Sequence, residues 1–186
     1  MQKKKVLVIG WDACEWKVVN ELIEKGLMPT LKKFLEEGTS GKIATMEPPI
    51  SPMLWTSIAT GKRPEHHGIT GFTEPDPDPN SKSGVRPVMV TSRKVKAIWN
   101  ILNQEGCKSN VVGWWPSHPA EPINGCMVSN FYPLSRVVDD SKWVMIDGTV
   151  HPPRLHKELA SLRVHFNEIT GPVLKNFVPK ADKIDQ

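Results

Sequence analysis

Apolar positions along the chain first fall in a short continuous run, Val6 to Ile9, which is β-branched in three of its four places. Such a run predicts a parallel strand buried on both faces. The spacing then changes to that of a helix. In "CEWKVVNELIEKG" the residues Trp16, Val19, Leu22 and Ile23 share one face and Gly26 ends the segment. "MPTLKKFLEEG" repeats the device, with Thr30 as a possible cap, Leu31, Phe34 and Leu35 as the apolar side, and Gly38 as the stop. "GKIATM" predicts a second strand, and "PMLWTSIAT", closed by Gly61, a third helix. Farther on, "SRKVKAIWNILNQEG" places Val95, Ile98, Trp99 and Leu102 together on an amphipathic helix, and "SNVVGWW" and "GCMVSNF" predict strands separated by a Pro-rich turn.

Strands alternating with helices predict an α/β fold, a doubly wound sheet with helices on both faces. Ligands in such folds sit beyond the carboxyl ends of the strands. The stretch "GKRPEHHGITGFTEPDPDPNSKSG" is long for a connection, which favours a functional surface. From "HPPRLHKELASLRVHFNEITG" onward the chain is polar and helical. The expected organisation is residues 1–150 as the N-terminal part of an α/β domain, with 151–186 as a polar helical segment leading out of it.

Composition narrows the function classes. A hydrophobic fraction of 39% over 186 residues supports a real core. The net charge of +4 comes partly from Lys3, Lys4 and Lys5, and no basic stripe with interleaved aromatics suggests a nucleic-acid surface. Cys14, Cys107 and Cys126 are an odd, widely spaced set without metal or redox spacing, and read as buried reduced thiols. The apolar run at 6–9 is shorter than a signal-peptide core and no run is long enough to cross a bilayer, so a cytoplasmic location is expected.

Two residues carry candidate chemistry. Asp12 falls just past the first predicted strand, where it either caps the following helix or offers a carboxylate to a divalent cation. Ser51 precedes Pro52 at a helix start, a sound cap arrangement. The same place lies beside free amides and the positive end of the helix dipole, where a phosphate oxygen is stabilised.

"VLVIGWDA", "MPTLKKFLEEG" and "PPISPMLWTSIATGKRPEHHGITGF", in that order over Val6 to Phe72, resemble the N-terminal half of the type I phosphodiesterase and nucleotide pyrophosphatase family of the alkaline phosphatase superfamily. The resemblance implies a three-layer α/β/α fold with a mainly parallel central sheet. It further implies a two-metal hydrolase, using zinc or manganese, that acts on a small phosphorylated substrate. Asp12 matches the family's strand-end metal ligand, and Ser51 matches its nucleophile, which also touches a metal. The implied reaction proceeds through a phosphoserine on Ser51 and hydrolyses a phosphodiester or nucleotide pyrophosphate bond. A phosphotransferase or mutase activity is the alternative among metal-dependent relatives.

Departures from the family pattern limit what carries over. Phe72 stands where the nucleotide pyrophosphatases have an Asn that donates to a phosphoryl oxygen, so their substrate preference does not transfer. The family's remaining ligands, Asp and His residues of its C-terminal half, have no counterpart here. The expectation is an incomplete domain, with a non-catalytic fragment as the other reading of this chain. Asp147 and His151 have a spacing the family uses for a metal pair, although a loop Asp and an exposed His is the preferred reading. His66 and His67 are expected to have a structural loop role, Trp114 and Trp115 to pack in a core, and His118 to be a loop residue. Lys62 and Arg63 read as helix-end cations, and Asp76 and Asp78 as a solvated loop.

Overall fold

The computed structural model describes residues 5–135, 143–165 and 168–175. The chain divides into two compact units, residues 1–47 and 48–186. The first is a helical hairpin of α1 (Trp16–Glu24) and α2 (Pro29–Glu37). Glu15 is the N-cap of α1, its carboxylate accepting the Lys17 amide at 2.9 Å. Val19 is buried, while Phe34, expected on the apolar side of α2, is exposed. Thr30 does not cap α2, because the helix already begins at Pro29, with Met28 before it.

Two expected strands are absent from this unit. Val6 to Ile9 form no strand and are 69–85% exposed, and Ile43 in "GKIATM" is 90% exposed without strand geometry. A strand is defined by its ladder, and neither segment forms one with any of the described residues. The apolar pattern records what these residues favour once paired, which is not the state of the described chain.

The second unit opens with α3 (Ser51–Thr60), followed by the single turn α4 (Pro64–His67). The stretch expected as a long loop is partly ordered into an antiparallel hairpin, β1 (Thr73–Pro75) against β2 (Val85–Pro87). Its central pair is an ion pair, Arg86 to Glu74 at 2.8 Å, and Ser92 Oγ donates to the same carboxylate oxygen at 2.8 Å. Asp76 and Asp78 lie in the turn between, each accepting the amide two residues on. The Asp78 amide holds Asp76 below the usual carboxylate range.

Helix α5 covers Ile98–Gln104, shorter than its apolar pattern. Asn100 decides where it starts, since its Oδ1 accepts the Ala97 amide at 2.8 Å. Val95 therefore falls outside the helix, although it belongs to the apolar pattern. Next come β3 (Ser109–Val112) and β4 (Gly125–Val128), paired in parallel with Val111 opposite Met127. β5 (Val150–His151) adds antiparallel to β4, so this three-stranded sheet is mixed. The described residues thus form an α/β structure with small sheets, and parallel pairing is confined to β3 and β4. The chain continues into α6 (His156–Ser161) and α7 (Gly171–Lys175).

Ala59 of α3, Ala97 and Trp99 around the start of α5, Val111, Ile123 and Met127 form the core, with Trp114 packed against it. Arg163, buried among backbone acceptors, donates to Leu134 O at 2.6 Å and to Trp143 O at 3.2 Å and lies 3.8 Å over the Trp143 ring. Cys14, Cys107 and Cys126 are free thiols, but none is buried as expected: Cys14 is exposed, and Cys107 and Cys126 are half-buried. No helix among the described residues is long and apolar enough to cross a membrane.

Two features of the second unit set its stability. Glu121 accepts from Arg93 Nη2 at 2.8 Å, Trp99 Nε1 at 2.6 Å and Asn100 Nδ2 at 3.0 Å. The Arg93 side chain is only 6% exposed. Glu121→Ala strands that cation, and urea unfolding should show a loss of about 3–5 kcal/mol. Gly125, the first residue of β4, lies so close to Ser109 O that a Cβ there would be far inside any permitted contact with that oxygen. Gly125→Ala should lose about 3 kcal/mol by the same measurement, whereas Gly171→Ala, in open space, should stay within about 0.5 kcal/mol of the parent.

Candidate active site

Ser51 is half-buried and is the first residue of α3. The sequence expectation of Ser51 as the N-cap is off by one residue. Ile50 holds the cap position with extended backbone, and its carbonyl already accepts the Leu54 amide at 3.0 Å. Pro52 therefore occupies the second helical position, within the first turn, where its missing N–H removes no helical hydrogen bond. A hydroxyl at this point lies at the positive end of the helix, the side to which an anion is attracted.

Helix α3 is held in place along its length. Pro52, Met53, Thr56 and Ala59 are buried. The hydroxyls of Thr56, Ser57 and Thr60 donate to carbonyls four residues back, at 2.7, 2.9 and 2.7 Å, so these polar side chains enter a buried helix already satisfied. Trp114 Nε1 donates to Trp55 O at 3.0 Å, and the two rings meet edge to face at 5.3 Å.

At the far end α3 is tied to α4 through His67, which is completely buried. Its Nδ1 accepts the Ile69 amide at 3.1 Å, and its Nε2 lies 2.9 Å from Ser57 Oγ. Because Ser57 spends its proton on Met53 O, the pattern assigns the Nε2–H tautomer, donating to Ser57. Both ring nitrogens are thus engaged inside the protein, which gives His67 a structural role and leaves no lone pair for a metal. Burial lowers its pKa, with Glu65 opposing that shift. His66 is exposed, with Nδ1 3.8 Å from Glu65.

Asp12 lies in the first unit and is exposed. It is not the cap of α1, a role taken by Glu15. Its Oδ1 instead accepts the Ala13 amide at 2.9 Å, and Ala13 has φ of 53°, the one left-handed non-glycine among the described residues.

The remaining candidates are dispersed. Asp147 is exposed in a turn, and His151 is half-buried on β5. Among the described residues no group of three or more His, Cys, Asp or Glu side chains is gathered to hold a metal ion. Trp114 packs against the core, while Trp115 meets half-exposed Phe72 at 5.3 Å. His118, expected as a loop residue, is in a loop but only 7% exposed, stacked on Phe131 at 4.1 Å.

Sequence reasoning missed Ser57 and Glu121. Ser57 carried a faint signal, a second serine in the second turn of the same apolar helix. Glu121 carried none, since its three donors come from residues 93–100 and become neighbours only on folding.

His67 generates a pH prediction. A folded pKa below the unfolded value of about 6.5 means that the unfolded state binds more protons between the two, so stability falls as pH drops below about 6.5. His67→Ala should cost roughly 2–4 kcal/mol at neutral pH, through a cavity and two orphaned partners. Denaturant melts at pH 7.5 and 5.5 should also show a smaller pH slope in the variant.

The comparisons with known proteins add one finding. A family model described as type I phosphodiesterase / nucleotide pyrophosphatase matches residues 6–185. No curated protein and no solved structure gives a significant match. The match runs through Asp12, Ser51 and nearly all of the chain, and the protein belongs to the type I phosphodiesterase / nucleotide pyrophosphatase family.

Proposed function

We propose that the intact protein is a hydrolase of small phosphate esters, with a phosphodiester or nucleotide pyrophosphate bond as substrate and Ser51 as nucleophile. The observation that carries this reading is Ser51 in the first turn of α3, inside the family match. The Ser51 oxygen attacks phosphorus, the bond to the leaving oxygen breaks, and the hydroxyl proton is lost to solvent or base. The product is a phosphoserine that, from a diester or pyrophosphate, keeps the substrate's other substituent on phosphorus, and water then hydrolyses the serine–phosphorus linkage to regenerate the hydroxyl. The amide-rich end of α3 is suited to the negative charge that builds on the phosphoryl oxygens.

Asp12 and Ser51 are the proposed metal ligands. A carboxylate and a hydroxyl are hard oxygen donors of the kind divalent ions take. Each supplies one donor, however, and no group of three or more His, Cys, Asp or Glu side chains is gathered among the described residues. The fit is therefore partial. When bound, zinc or manganese would supply charge neutralisation and a more acidic nucleophile. The same observation favours, as the second reading, a chain that carries family residues without a complete site. In the proposed organisation, residues 1–150 hold these ligands and 151–186 lead out of the domain. A cytoplasmic location is proposed with it.

Hydrolysis of bis(p-nitrophenyl) phosphate by the full chain with added manganese or zinc is the direct test. Ser51→Ala should lower the rate by about a thousandfold or more. A phosphoryl group should also be trapped on the Ser51 peptide of the parent at low pH. Activity that survives the substitution ends the nucleophile assignment. Calorimetry showing no tight manganese or zinc binding, in a chain without turnover, supports the second reading.

A further inference from the structure

At the carboxyl end of the parallel pair β3 and β4, polar groups are buried that the proposed reaction does not use. Ser117, Ser129 and Thr149 are completely buried, and His118 is nearly so. The His118 ring lies flat on Phe131, with 6° between the planes. Its Nδ1 is 3.2 Å from Ser129 Oγ, which also accepts the Phe131 amide at 3.3 Å. The pattern fits a Ser129 hydroxyl donating to an unprotonated Nδ1. On the other side is the turn that leads into β5. Gly148 there has φ of 75°, and a Cβ on it would meet Pro119 Cβ at 3.1 Å and His118 Cε1 at 3.8 Å.

That turn is joined to the sheet next to the ring. Ala120 N–H donates to Gly148 O at 2.7 Å and Ser129 N–H donates to Thr149 O at 2.8 Å. Both bonds come from residues flanking the His118 cage. Thr149 Oγ1 is buried there without a partner, so the turn gains nothing from its own hydroxyl.

We propose that His118 is a proton-operated latch: the neutral ring closes the 146–149 turn and β5 onto β4, and the protonated ring releases them. A charged imidazole would have to put Nδ1–H where the Ser129 hydroxyl proton points and would sit against an aromatic face, a Pro and a Gly, away from water. No carboxylate among the described residues is hydrogen-bonded to it. On its own loop, Glu121 is saturated by Arg93, Trp99 and Asn100. The turn carries Asp147, which is exposed, and β5 carries His151, half-buried opposite Met127. Segment 129–131 has no ionisable side chain, and the turn at residues 90–92, whose Val90 amide holds the His118 carbonyl at 2.8 Å, has none either. Burial lowers the pKa of His118, in the direction the latch requires: closure is complete above the ordinary value near 6.5 and weakens as pH falls below it.

The test is amide hydrogen exchange on the full chain from pH 7.5 to 5.0, expressed as protection factors so that the intrinsic rate is removed. Protection of the Ala120 and Ser129 amides should fall by up to about tenfold for each pH unit below about 6.5 and level off once the pH passes the ring's own titration midpoint. Protection at Val111 of β3, on the other side of β4, should change less. His118→Phe keeps the stack without the titration and should flatten the profile, while His67→Gln should leave it in place. If His118→Phe does not fold, the parent decides by itself. The His118 Cε1–H resonance should titrate below about 6.5, at the pH where the fall in protection levels off. Protection that does not change with pH, an unchanged profile in His118→Phe, or a ring midpoint at or above about 6.5 would each overturn the latch.

Discussion

The Glu121 carboxylate is the interaction on which the second unit depends. It receives a guanidinium, an indole N–H and a side-chain amide, and so joins three positions of residues 93–100 to the loop between β3 and β4. Asn100 is shared: one end donates to Glu121, and the other accepts from Arg93 Nη2 at 2.9 Å and from the Ala97 amide that begins α5. A buried ion pair of this kind is a poor source of net stability compared with apolar packing. Its effect is on geometry, because every donor and acceptor is satisfied in only one arrangement of loop and helix. With the loop fixed, Trp114 reaches α3 and His118 meets Phe131.

This dependence explains which elements were legible in the sequence. α1, α2, α3, β3 and β4 were readable because their signals are local: an apolar stripe or run, a glycine stop, a proline near a helix start. The start of α5 was not, since its apolar pattern continues back to Val95 while Asn100, held by Glu121, closes the helix at Ala97. Val6 to Ile9 failed in the opposite sense. The segment has the composition of a buried strand, but pairing and burial are non-local, and a composition cannot supply the neighbour that a ladder needs. The hairpin β1–β2 was hidden by its turn, where prolines and Asx turns occupy the space between two three-residue strands.

Candidate histidines show how a residue type misleads when its partners are unknown. His67 sits beside an exposed histidine in a Gly- and Pro-rich stretch, where a metal ligand and a structural loop residue look alike in sequence. In the structure both of its nitrogens are consumed, one by a backbone amide and one by Ser57. His118, also between prolines, is buried against an aromatic ring rather than lining an open surface. Both are neutral by environment. Their chemistry is a matter of fold stability and local closure, and the burden of the proposed reaction shifts to the oxygen donors, Asp12 and Ser51.

For Ser51 the relation between capping and catalysis is now more specific. A serine that caps a helix directs its oxygen back toward the amides of the first turn, and that use competes with attack on a substrate. Here the cap position belongs to Ile50, whose side chain cannot accept a hydrogen bond, and Ser51 is already helical. The direction of its Cα–Cβ bond is therefore set by helix geometry, tilted toward the N-terminus as in any α-helix. Constraints farther along keep that geometry fixed: back-bonded Thr56 and Ser57, the indole of Trp114 on the Trp55 carbonyl, and His67 on Ser57. A nucleophile needs its oxygen held within a narrow range of positions. For Ser51 in the proposed reaction, that precision would come from these contacts farther along α3.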